Sequence, residues 1–181
     1  MGIKSKSLLR IGSTILAILA ALLIAFFRQP DSDPSDRTTG SESSLHGKVL
    51  SVADGDTFTL QDEDRKIKVR LQGIDCPERD QAFGKQAGDF IRDRVGGERV
   101  EVRKLGVDPY DRVLGEVFFE NDNLNKELLK NGFAWWYEQH APDRSDYREL
   151  QREARAEKRG LWSDVHAIAP WEFRKNRREQ P

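Results

Sequence analysis

The sequence predicts an α+β fold: a small, five-stranded Greek-key barrel with about three helices, set behind a separate apolar segment at the N-terminus. Three observations carry this reading. Short runs of period-two hydrophobicity recur from about residue 46 to residue 119. Apolar residues at helical spacing interrupt those runs once and follow them twice, the arrangement of a closed barrel with one internal helix. A charge-free stretch from Ile11 to Phe27 stands apart from everything else.

Composition narrows the classes. The chain has 181 residues, enough for one ordinary domain plus an appendage, and its 37% hydrophobic content supports a packed core. Lys and Arg number 30 against 31 Asp and Glu, so there is no general basic surplus and any grip on a polyanion must be local. The single cysteine, Cys76, excludes an internal disulfide and a cysteine-based zinc cluster.

Lys4, Lys6 and Arg10 precede the apolar run, whose length is at the lower end of the roughly 17 to 25 residues that span a bilayer. Residues 1–28 therefore read as a cytoplasmic N-terminus and transmembrane signal anchor. The leading basic residues place the rest of the chain on the extracytoplasmic side of the cell membrane. Secretion after signal cleavage is the alternative, but Phe26-Phe27-Arg28 is a poor cleavage context. Residues 29–44, with Pro30, Pro34 and Gly40, read as a flexible polar linker. Residues 45–165 then form the folded domain, and 166–181, with Arg174, Lys175, Arg177 and Arg178, a basic C-terminal tail, solvated and frayed.

Within the domain, Leu50 and Val52, then Phe58 and Leu60, flank Asp54-Gly55-Asp56, a hairpin-like turn. Ile67, Val69 and Leu71 alternate with Lys66, Lys68 and Arg70, so Arg70 points away from the apolar face and toward a ligand. Phe83, Ala87, Phe90, Ile91 and Val95 form a helix stopped by Gly96-Gly97. Val100 and Val102 mark a fourth strand and Leu114 to Phe119 a fifth, in a mainly antiparallel sheet. Leu124, Leu128 and Phe133 form a helix behind Asn123, and Tyr147, Leu150, Ala154 and Leu161 another with Gly160 as its stop. This order suits an OB-fold barrel.

Acids and arginines cluster in three strings: Asp54-Gly55-Asp56-Thr57, the run from Lys68 to Glu78, and Asp108-Pro109-Tyr110-Asp111-Arg112. Carboxylates can hold a hard cation, another carboxylate can deprotonate a water, and guanidinium groups can neutralise a phosphoryl group as it gains charge. Together they point to phosphodiester hydrolysis. Each string alone has a plainer explanation. Asp75-Cys76-Pro77-Glu78 could cap a helix, Asp54-Gly55-Asp56 could be an ordinary turn, and the arginines could be surface charges.

In order and spacing, Asp54 to Thr57, Val69-Arg70-Leu71, Ile74 to Glu78, Phe83 to Ala87, Asp108 to Arg112, Asn125 with Leu128, Gly132-Phe133-Ala134 and Gly160-Leu161-Trp162 resemble the staphylococcal nuclease family. The resemblance covers about His46 to Trp162. It implies the OB-fold barrel and a calcium-dependent endonuclease acting on DNA and/or RNA and leaving 3′-phosphate ends. It makes Asp56, Asp75 and the backbone carbonyl of Cys76 the calcium ligands. Glu78 becomes the residue that orients or deprotonates water, and Arg70 and Arg112 become the clamps on the scissile phosphate. A monomer with a nucleic-acid substrate follows.

Two positions depart from the family pattern. Cys76 replaces a threonine, which a main-chain ligand tolerates, and Asp111 stands where glycine is common, placing an acid next to Arg112. Tyr110 and Tyr137 are candidates for stacking on a base, while Trp135, Trp136 and Trp162 read as packing residues. The alternative is a membrane-tethered, non-catalytic OB-fold module that binds nucleic acid or protein, and such a module need not retain Arg70, Asp75, Glu78 and Arg112 together.

Overall fold

A computed structural model describes residues 44–179. The anchor at 1–28 and nearly all of the linker lie outside the described residues, and no helix within them is long and apolar enough to cross a membrane. The elements run β1 (Ser44–Val52), β2 (Thr57–Asp62), β3 (Arg65–Leu71), β4 (Ile74–Asp75), α1 (Gly84–Val95), β5 (Arg99–Val107), β6 (Val113–Phe119), β7 (Asp122–Asn123), α2 (Leu124–Lys130), β8 (Trp135–Trp136), α3 (Ser145–Ala156) and α4 (Pro170–Glu179).

Five of the strands close into a barrel. β1 pairs with β2 and β5, β2 with β3, and β5 with β6, all antiparallel; β3 then pairs with β6 in parallel, through Val69 with Val113 and Arg70 with Leu114. The antiparallel expectation thus holds for every pair of the barrel but the closing one. Closure removes the exposed edges that a five-stranded sheet would present.

Inward side chains follow the predicted alternation, with Phe58, Leu60, Val69, Leu71, Val100, Val102 and Val117 buried. In β1 the inward residue is Val49, while Leu50 is exposed, because a bulge between Val49 and Ser51 shifts the register. Ala87, Ile91 and Val95 of α1 and Leu124, Leu128 and Leu129 of α2 complete the core, each large side chain contributing about 1.5–3 kcal/mol by its burial.

Helix ends largely follow the sequence signals. α1 stops at Gly96, and Gly97 (φ 83°) returns its N–H to the carbonyl of Val49. The Asn123 side chain accepts from the Lys126 amide at the head of α2. α3 ends earlier than predicted: Lys158 takes a left-handed φ of 53°, and Leu161 lies instead in a short 3₁₀ turn over Gly160–Ser163. Residues 170–179, expected to fray, form α4, which begins at the buried Pro170.

Candidate active site

The site is assembled from loops at one end of the barrel. Residues 53–56 join β1 to β2, with the Ala53 amide donating to the Thr57 carbonyl and Asp54 Oδ1 accepting from the Asp56 amide at 3.1 Å. Gly55 lets this loop sit tightly on its neighbours, since a Cβ there would come within 2.9 Å of the Cys76 Sγ and 2.7 Å of the Ala87 Cβ. That contact sets Asp56 beside residue 76, whose amide donates to Asp56 Oδ2 at 2.6 Å.

β3 delivers Arg70, and the turn after it delivers Asp75. Asn125, wholly buried, holds this turn: its Nδ2 donates to the Gln72 carbonyl at 2.9 Å while its Oδ1 accepts from the Val117 amide at 3.1 Å. The stretch after Asp75 does not cap a helix, because α1 starts only at Gly84. It runs instead as an irregular loop that carries Glu78, closed by the Gln81 amide on the Glu78 carbonyl at 2.9 Å.

Asp56, Arg70, Asp75, Cys76, Glu78, Arg112, Tyr110 and Tyr137 all line one open cleft of about 630 Å³. Arg70 is the bridge within it. One guanidinium nitrogen pairs with Asp56 Oδ1, and the other donates to Asp75 Oδ1 at 2.7 Å. Asp56 and Asp75 are only 4% and 1% exposed, so both are charges that burial makes costly unless paired, and Arg70 is the guanidinium they share. The Arg112 Nε donates to Asp108 Oδ2 at 2.7 Å.

Electrostatics separate the acids. Burial raises the Asp54 carboxyl above its usual range, against the opposing pull of Arg70 and of hydrogen bonds from Thr57. Asp108 is partly desolvated, yet hydrogen bonds from the Arg112 and Tyr110 amides and the Arg112 side chain hold it below the usual range. Burial pushes the Cys76 thiol well up, so it is neutral and inert.

Asp111 has a φ of 60°, the left-handed conformation that favours glycine. The acid that engages Arg112 is Asp108 rather than Asp111. Tyr110 is 79% exposed, with the Arg112 guanidinium 5.6 Å from its ring centre. Tyr137 differs from expectation: its ring stacks on Trp171 at 5.1 Å and on His140 at 4.3 Å, so it packs the cleft wall rather than offering a free platform for a base. The tryptophans pack as expected, with Trp135 edge-on to Trp162 at 4.4 Å. Three further acids and bases line the cleft without a role assigned from sequence: Asp54 and Asp108, which belong to the same strings as Asp56 and Arg112, and Arg174, in the segment that reads as a basic tail. No local pattern marks Arg174.

A family model described as staphylococcal nuclease homologue matches residues 68–164. The chain belongs to the staphylococcal nuclease family. Among relatives in this family, an uncharacterized endonuclease of Escherichia coli is 40% identical over 131 residues, covering 72% of this chain and 85% of that protein. A micrococcal nuclease of Shigella flexneri is 35% identical over 72% of this chain and 81% of its own. A probable endonuclease of Komagataella phaffii is 30% identical over 90% of this chain and 89% of its own.

The donor chemistry fits the hard cation that the family resemblance implies. The buried carboxylates of Asp56 and Asp75 offer oxygen donors of the kind such an ion takes, and the neighbouring thiol stays protonated. Among the described residues no group of three or more His, Cys, Asp or Glu side chains is arranged to hold a metal alone. Carbonyl, water and substrate oxygens would therefore complete the shell.

Proposed function

We propose that this chain is a calcium-dependent nuclease that hydrolyses phosphodiester bonds of DNA and/or RNA and leaves 3′-phosphate ends. The observation that carries it is the Arg70 bridge: one guanidinium ties two buried carboxylates from separate loops into a cleft that also holds Glu78 and Arg112. A binding module has no need of two buried acids at such desolvation cost. The relatives named as nucleases support the same reading.

Asp56, Asp75 and the carbonyl of Cys76 would hold the ion, which when bound supplies Lewis-acid polarisation of the phosphoryl group. Glu78 positions a water and accepts its proton as the oxygen attacks phosphorus in line. The bond from phosphorus to the 5′ oxygen breaks, and that oxygen takes a proton from solvent. Arg70 and Arg112 donate paired hydrogen bonds to the phosphoryl oxygens as charge accumulates, which a lysine's single ammonium cannot reproduce. Removing either arginine is expected to cost about 10²–10³ in rate, by analogy with loss of an oxyanion contact. The N-terminal apolar segment anchors the domain on the outer face of the cell membrane, where calcium concentrations suit a weak oxygen site.

The test uses the full chain in detergent with labelled DNA and RNA, in calcium, magnesium or chelator, beside a Glu78→Gln variant. Calcium-dependent cleavage that drops by orders of magnitude in the variant, with the fold retained, is expected. Equal cleavage by both proteins would remove Glu78 from the chemistry, and intact substrate with wild-type protein in calcium would return the chain to the class of binding modules.

A further inference from the structure

Arg174 lies on α4, beyond the 68–164 region matched by the family model, and the scheme above gives it no role. Its guanidinium forks across two of the acids placed in the chemistry. One nitrogen donates to Asp75 Oδ2 at 2.7 Å and the other to Glu78 Oε1 at 2.7 Å.

The helix does not depend on this contact to stay in place. Trp171 stacks on Tyr137 and meets Trp135 edge-on at 5.7 Å. Arg177 pairs with Asp80 at 3.0 Å, and Gln81 donates to the carbonyl of Ile168 at 2.7 Å. α4 is thus fastened on both flanks of Arg174, which leaves the guanidinium free to exchange partners without undocking the helix. Arg178, one turn further along, lines the same cleft and has no acid partner among the described residues.

Two arginines already satisfy Asp75, since Arg70 donates to its Oδ1 and Arg174 to its Oδ2. A divalent cation on Asp75 repels the nearest guanidinium, and Glu78 must shed its donor before it can accept a proton. The group displaced by both demands is Arg174. A phosphate presents two oxygens to the same planar fork that now spans two carboxylates.

We propose that Arg174 is a third phosphate-binding arginine of this site, exchanging Asp75 and Glu78 for a phosphate of the substrate strand when a cation takes Asp75. The inference rests on the nuclease reading. It is tested by calorimetry on the full chain with Arg174→Ala, Arg174→Gln and Arg174→Lys, and with Arg177→Ala as a control on the same helix. Circular dichroism confirms that each is folded, and the Gln variant keeps the side chain's bulk should the Ala variant unfold.

Two titrations are made: calcium alone, and thymidine 3′-monophosphate, which offers no diester to cleave, in saturating calcium. Loss of the charge is expected to tighten calcium about tenfold and to weaken the nucleotide about tenfold. Arg174→Lys should recover part of the nucleotide affinity, and Arg177→Ala should match wild type in both titrations. A nucleotide affinity unchanged in Arg174→Gln overturns the proposal. DNA cleavage by wild type is scored separately, so failure of the nuclease reading is distinguishable from failure of the role given to Arg174.

Discussion

Gly84 lies directly against the main chain of Glu78: a Cβ on residue 84 would stand 1.7 Å from the Glu78 carbonyl oxygen. The first residue of α1 therefore sets how deeply the Glu78 loop seats in the cleft. Arg79 is also close, with its Cα 3.1 Å from the same point, so backbone on both sides would have to move.

Gly84→Ala is accordingly expected to displace Glu78 and lower kcat by 10²-fold or more, as a misplacement of about 1 Å in a reacting group does. Calcium affinity, which does not run through Glu78, should change far less. Cleavage kinetics beside calcium calorimetry would show the split.

Arg70→Ala leaves Asp56 buried without a guanidinium and Asp75 with Arg174 alone. Breaking a buried pair costs about 3–5 kcal/mol, so the denaturant midpoint in chelator should fall sharply. Because calcium supplies positive charge to the same two acids, adding it should restore part of the loss, more than it adds to wild type. Urea melts with and without calcium measure both.

Asn125→Ala removes the side chain that satisfies the Val117 amide and the Gln72 carbonyl in a fully buried position. Unsatisfied buried groups of this kind cost about 2–3 kcal/mol. The turn carrying Asp75 loosens with them, so calcium affinity should fall along with stability.

Stability should also fall in acid. Hydrogen bonds from Arg144 overcome the desolvation of Glu116 and hold it below its usual range; Asp108 is held down by Arg112 in the same manner, and Asp146 is lowered strongly by Arg144. For acids whose folded pKa is depressed, the stabilisation is present above the unfolded values of about 4 and is lost as pH falls toward the folded ones. Midpoints should hold from pH 7 to about 5 and decline below about 4, with a shallower decline in Glu116→Gln.

Asp111→Gly relieves a left-handed φ at the cost of a freer unfolded chain, so stability should change by less than about 1 kcal/mol. Removing this carboxylate also raises the positive potential around Arg112, so the same variant should bind substrate slightly more tightly, with KM as the readout.

The barrel was legible in the sequence where residues alternate: Val69 and Leu71 of β3 are buried with Ile67 packed partly buried beside them, and Arg70 between them faces the cleft. The bulge in β1 was hidden, because a single inserted residue leaves composition unchanged while it trades Leu50 for Val49 as the inward side chain. Pairing partners were hidden as well, since the parallel contact of β3 with β6 depends on where two distant strands meet. At the site, the short strings announced Asp56, Arg70, Asp75, Glu78 and Arg112. Arg174 reaches Asp75 across most of the domain's length, brought there by the packing of Trp171 and the pairing of Arg177 with Asp80, which are contacts between distant parts of the chain. Tyr137 looked like an open aromatic for the same reason, as the ring that covers it comes from α4.

The parallel seam between β3 and β6 has a consequence for synthesis of the chain. Until the ribosome has released Val113 to Gly115, β3 has no neighbour on its outer side, and a half-made sheet offers its bare backbone to any other nascent strand. A polypeptide cut short before that point should clump rather than persist as a smaller folded piece, however complete its acidic loops.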